Sequence, residues 1–194
     1  MLERLSKTIF ETKLTDVETS DVEGIGTERV DVYGNTYRWV YNASTISSRV
    51  GGPACYDATL YSAVTFLQHV RVDTADEDID YFAGVFISII PTVNYGWILT
   101  SGKYNTCRVA IASGGAIAIS DIMIPSTLVT TTGTAAARPY AFLIGAVAAN
   151  TTTDVAQARY YGPGGIAMVA VATGSGVTGT VPQTTTLFIK GLSK

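Results

Sequence analysis

Histidine is almost absent from this chain of 194 residues: His69 is the only one, and there are two cysteines, Cys55 and Cys107. One histidine excludes a site built on two of them, and two cysteines far apart in sequence form neither a zinc pattern nor a dense disulfide framework. The cysteines are therefore expected as buried or half-buried free thiols, and neither a metal nor a cofactor is expected. Charge is sparse as well. Only 15% of residues are charged, and 13 Lys and Arg against 16 Asp and Glu leave a formal net charge of -3. That balance lacks the basic footprint that phosphate-backbone binding requires, so nucleic acid is not an expected partner. Long apolar runs are missing too. Residues 81–90, 140–149 and 166–172 are the longest stretches, well short of the roughly 20 residues of a membrane-spanning helix. They read as buried strands, and no membrane association is expected. The start, MLERLSKTIF, lacks the apolar core of a secretory signal, which points to synthesis in a cytoplasm.

What the chain does contain is apolar and aromatic material: 47% hydrophobic residues, 11 Tyr, six Phe and two Trp. This is more than a disordered segment carries, and the length suits one domain with a substantial core. Residues 1–23 stand apart, with Leu2, Leu5, Ile9 and Leu14 spaced among charged residues. They read as an N-terminal arm or short helix that docks on something else. From Gly24 onward the texture changes to Val, Ile, Thr and Tyr broken by Gly, Asn and Ser, the pattern of an all-β domain with frequent turns.

Residues 28–33 and 36–41 alternate on either side of Gly34-Asn35, which predicts a hairpin because both linking residues tolerate positive φ. Residues 54–72 mix helical spacing with β-branched neighbours and are read as strands. Short strands follow at 82–90, 95–100, 106–111 and 116–119, with turns at 91–94, 101–103 and 113–115. Residues 130–137 suit an exposed loop, 141–149 and 166–172 return to the core, 150–161 fit a helix or a loop equally, and 185–189 close the chain as a strand. The expected architecture is all-β: a small barrel or sandwich of short antiparallel strands. Its divisions are the arm 1–23, a β-domain 24–172 and a C-terminal strand or extension 173–194.

No catalytic signature survives comparison with its structural alternative. His69 would need a nucleophile, yet the nearest approach to a nucleophile elbow, Ile111-Ala112-Ser113-Gly114-Gly115, lacks its first glycine. A polar residue on the solvent face of a strand is the better reading. Asp76, Asp78 and Asp80 open like a calcium loop, but Tyr81 stands where the turn needs glycine and Ile87 where a bidentate Glu belongs. Gly174 to Gly179 spells a dinucleotide fingerprint with no helix behind it. Tyr37, Trp39 and Tyr41 share one face at period two, as do Tyr95 and Trp97, the spacing of strand-core or subunit-interface aromatics.

The order of these pieces carries a resemblance. Tyr37-Arg38-Trp39-Val40-Tyr41-Asn42-Ala43-Ser44, Gly51-Gly52-Pro53-Ala54-Cys55-Tyr56-Asp57, Tyr81-Phe82-Ala83-Gly84-Val85 and Tyr95-Gly96-Trp97-Ile98-Leu99-Thr100-Ser101-Gly102 follow one another across the chain. This resembles the head decoration, or cement, proteins of tailed bacteriophages, of the β-tulip or β-barrel kind. Ile119-Ser120-Asp121 and residues 143–148 resemble their closing segments, although Ser120 stands where glycine is usual. The likeness spans roughly 24–172 and rests on structural glycines and aromatics, which speak to fold more than to role. It implies a non-enzymatic virion subunit, often a homotrimer, bound on the capsid exterior to the major capsid protein lattice. On that reading Leu2, Leu5, Ile9, Trp39 and Trp97 are the expected assembly contacts. The alternative is a tail- or fibre-associated module whose aromatics contact a receptor glycan.

Overall fold

The computed structural model describes residues 10–57, 60, 67–72, 81–109, 119, 122–126, 141–144, 165–167 and 183–190. These residues are all-β. The strands are β1 (Val17–Glu18), β2 (Glu28–Val30), β3 (Thr36–Asn42), β4 (Pro53–Tyr56), β5 (His69–Arg71), β6 (Phe82–Phe86), β7 (Tyr95–Val109), β8 (Ile122–Ser126), β9 (Ala141–Ile144), β10 (Gly165–Ala167) and β11 (Gln183–Lys190).

Five strands close a barrel. β7 pairs with β3 and β6, β6 with β4, β4 with β5, and β5 returns to β3 through a parallel step, Tyr41 opposite His69 and Asn42 opposite Val70. Closure leaves none of the five with an open edge on the ring, which removes the aggregation hazard of an unpaired strand. Each strand contributes to one core: Val40 from β3, Tyr56 from β4, Val70 from β5, Phe86 from β6 and Ile98 from β7 pack together with Ile90. Where they face each other, at residues 38–40 of β3 and 96–100 of β7, these strands are buried on both faces, because the aromatic face opposite this core is also covered.

The sequence places a turn at residues 101–103, but β7 runs unbroken for 15 residues through it. The reason is local. Gly102 has φ +130, and a Cβ there would come within 2.1 Å of Asn35 Oδ1, so the missing side chain admits a carboxamide from the neighbouring loop. Beyond that point β7 exchanges partners. Its second half pairs with β11 from Ser101 opposite Lys190 to Val109 opposite Gln183. From β11 the pairing continues through β10, β8 and β9 and returns to β7 at Val109 opposite Phe142. One long strand thus belongs to two rings of paired strands. A second core, Phe82, Val85, Leu99, Cys107, Val109, Leu187 and Ile189, forms where they meet. The segment 173–194 that composition sets apart therefore holds a strand integral to the sheet.

Other expectations shift by a few residues. Phe82–Ile90 is a strand only to Phe86, and 54–72 supplies β4 and β5 at its ends. The acidic run 73–80, the fingerprint 174–179, and segments 130–137 and 150–161 lie outside the described residues.

Candidate contact surface

The hairpin between β2 and β3 is not the two-residue Gly-Asn loop that the alternation suggests. Val30 pairs with Thr36, and Asp31 N–H donates to Asn35 O at 3.0 Å, leaving Val32, Tyr33 and Gly34 as the loop. Gly34 N–H donates back to Asp31 O at 3.1 Å and Gly34 takes φ +82, while Asn35 does not adopt positive φ. This is the three-residue solution: a turn opened by Asp, followed by one residue in the left-handed region.

Asp31 holds the turn from inside. Its Oδ1 accepts from Tyr33 N–H at 2.8 Å and Asn35 N–H at 3.0 Å, and its Oδ2 accepts from Asn35 Nδ2 at 2.8 Å and Tyr37 OH at 3.1 Å. Desolvation pushes this carboxyl upward, but the donors from Asn35, Tyr33 and Tyr37 outweigh it and leave its pKa below the usual value. The Tyr37 hydroxyl is pushed up to about 12, by burial first and by Asp31 second. Asn35 Oδ1 accepts Lys103 N–H at 3.0 Å, tying the turn to β7 beside Gly102. At the base, Glu28 accepts from buried Arg38, whose other terminal nitrogen donates to Tyr56 OH in the barrel.

On this fixed mount the two loop corners are apolar and open: Val32 is 92% and Tyr33 87% exposed, with Val30 at 64% behind them. Corners of such turns ordinarily carry polar residues, so a Val-Tyr pair there is a feature of the surface and not of the turn. The signal in the sequence is Asp31-Val32-Tyr33-Gly34-Asn35. Reading 28–33 as one alternating strand hides it, since Val32 then counts as a strand residue.

The opposite end of β3 carries a second organised loop cluster. Asn42 is fully buried, and its Nδ2 donates to Ile46 O, Ile90 O and Pro91 O at 3.2, 2.9 and 3.1 Å while its Oδ1 accepts Ser44 N–H. Ser48 Oγ accepts Ile90 N–H and donates to Ser88 O. These bonds satisfy loop backbone that water does not reach. They present Ile46, Ile89 and Val93 outward at 41, 59 and 63% exposure, Val93 with φ 56.

Of the expected contacts, the structure describes Trp39 and Trp97, and neither lies on these loops. Leu2, Leu5 and Ile9 lie outside the described residues. Trp39 and Trp97 stand opposite each other on β3 and β7 with ring centroids 5.3 Å apart, and both are completely buried within the chain. Residues 10–23, expected to dock on something else, cover them. Phe10 meets Trp97 edge-on at 5.7 Å, Thr12 Oγ1 accepts Trp97 Nε1–H at 2.8 Å, and Asp21 Oδ1 accepts Trp39 Nε1–H at 2.9 Å. Arg29 caps the cover, its guanidinium 5.0 Å from the Phe10 ring centre and bonded to Thr12 O. Each indole thus finds both an apolar bed and the acceptor it needs when buried, and this aromatic face is interior rather than a surface for a partner.

His69 lies on the face of β5 opposite buried Val70, half-covered there, with its ring 5.0 Å from Tyr41. Burial holds its pKa below the usual value, opposed by Asp57. Among the described residues no cluster of three His, Cys, Asp or Glu is placed to hold a metal, and no helix is long and apolar enough to cross a membrane. No protein-family model, curated protein or solved structure matches this chain. The fold defines the class: an all-β barrel protein with extra strands and apolar residues on locked loops.

Proposed function

We propose that the protein is a structural virion component that decorates the outside of a phage capsid by binding the major capsid protein lattice. The observation that carries this reading is the pair of organised loop clusters at the two ends of β3, each exposing apolar side chains on a backbone held by side-chain hydrogen bonds, from Asp31 and Asn35 at one end and from buried Asn42 and Ser48 at the other. Such surfaces suit a subunit held between neighbours, because contacts that are weak singly become strong when several act on one fixed body. The resemblance of residues 24–172 to capsid decoration proteins supports the same reading, and a homotrimer is the assembly it implies. Localisation on the capsid exterior and a non-enzymatic role belong to the proposal.

The amount of this chain in purified particles of its source virus, relative to the coat protein, tests it. A molar ratio approaching one is the expected result. A few copies per particle would assign the chain to the tail or fibre, and absence from the particle would overturn the proposal.

A further inference from the structure

We propose that Arg49 and Arg108 form a site for one oxyanion group, a phosphate or a carboxylate, at the seam where the two rings of paired strands meet. The inference goes beyond the decoration reading and does not depend on it. Gly51 brings the two arginines together. Its carbonyl accepts Arg108 N–H at 2.7 Å, its N–H donates to Phe86 O at 2.8 Å, and Gly52 N–H closes a turn on Arg49 O at 3.0 Å. Only glycine serves at 51: it takes φ +77, and a Cβ there would collide with Thr106 O. On β7 the pairing passes from Leu187 opposite Tyr104 to Thr185 opposite Cys107, so β7 carries an extra residue, a bulge beside this turn. Past the bulge Cys107 and Val109 enter the core, and Arg108 between them stands on the other face of the strand.

The treatment of the other described arginines selects the ligand class. Arg29 donates to Thr12 O, Arg38 to Glu28 and Tyr56, and Arg71 lies 3.9 Å from Asp57. Arg49 and Arg108 meet no carboxylate among the described residues, and the Arg108 Nε is enclosed without an acceptor. An enclosed donor left unbonded is costly, and a second cation beside it adds to the cost. Burial first and the Arg49 charge second hold the Arg108 pKa below its ordinary value, so the two guanidinium charges are near enough to repel. A group with two or more anionic oxygens relieves both costs, because each guanidinium offers a planar fork of donors that matches it. A nucleic acid needs a longer run of cations than this pair supplies on a chain of net charge -3. The bonded turn also sets the Arg49 backbone before a ligand arrives, which lowers the cost of binding.

The test follows the Arg108 Nε–H resonance of the full-length chain by NMR while inorganic phosphate or acetate replaces chloride at constant ionic strength. A saturable shift is expected with at least one of the two. Saturation by acetate assigns a carboxylate, such as an Asp or Glu side chain of a partner; saturation by phosphate alone assigns a phosphate group. Arg49→Gln is expected to bind about tenfold more weakly, the loss of one charge-assisted hydrogen bond. Without phosphate or acetate it is expected to melt no lower than wild type, because it removes a like charge from an exposed position. No shift beyond that seen in chloride, or equal affinity in wild type and Arg49→Gln, would overturn the site. A lower melting temperature of Arg49→Gln in chloride would show Arg49 to be bonded within the chain and would overturn it as well. None of these outcomes bears on the amount of the chain in virus particles, so failure here leaves decoration standing.

Discussion

Asp31 and Tyr37 share one hydrogen bond that titrates at both ends of the pH scale. The Asp31 pKa lies below its unfolded value, so its contribution is present above about pH 4 and is lost as pH falls through the folded value. Tyr37 is raised from 10.0 to about 12, so its contribution is intact below pH 10 and is lost as pH rises from 10 to 12. Melting temperature measured against pH is expected to fall at both extremes in wild type, and the alkaline fall should be shallower in Tyr37→Phe. An identical alkaline limb in the two proteins would refute the assignment. Cys55 and Cys107 are both buried thiols outside any disulfide, and burial pushes Cys107 up to about 12. Without access, and for Cys107 without thiolate, they are expected not to react with a disulfide reagent at pH 8 in the folded state and to react on unfolding. Rapid modification of native protein would contradict their burial.

At the scale of elements, the cover over Trp39 and Trp97 is the feature that changes most between sequence and structure. Composition makes residues 1–23 look like an arm with little to bury, and on that view removing 1–20 leaves the fold untouched. Phe10 and Thr12 instead close the indole face. Deleting residues 1–20 is therefore expected to lower the melting temperature and shift tryptophan emission to the red, and unchanged emission would show the cover to be dispensable. Trp39→Ala removes a fully buried side chain and is expected to cost about 3–5 kcal/mol in denaturant unfolding. A loss below 1 kcal/mol would contradict its place in the interior. The hairpin illustrates a different difficulty. Alternation from Glu28 correctly marks a strand, but it does not say where the strand stops. The four groups donating to Asp31 move that boundary back to Val30, and this puts Val32 and Tyr33 on the corners.

For the whole molecule, the consequential element is β7. It serves two rings of paired strands, so a change at its bend should be felt in both. Gly102→Ala brings a methyl against Asn35 Oδ1, the same carboxamide that fixes the hairpin. It is expected to lower stability by about 1–3 kcal/mol and to accelerate amide exchange at Tyr33 and Asn35 together. Exchange confined to β7 would show the hairpin to be independent of it.

The sequence by itself determined the all-β class, the hairpin, the burial of the strand aromatics as one candidate reading, and the burial of the two thiols. Each follows from local alternation, turn chemistry or counts, which need no knowledge of distant residues. Tertiary structure decided which strands close the barrel, that β11 returns to β7, and that the tryptophan face is covered by the chain's own beginning. It also decided that Val32 and Tyr33 remain uncovered. Pairing partners are set by packing between residues up to tens of positions apart, such as Asn42 with Ile90 and Trp97 with Thr12. Alternation states that a face is apolar; only the folded chain states whether that face meets a core, a covering segment or water.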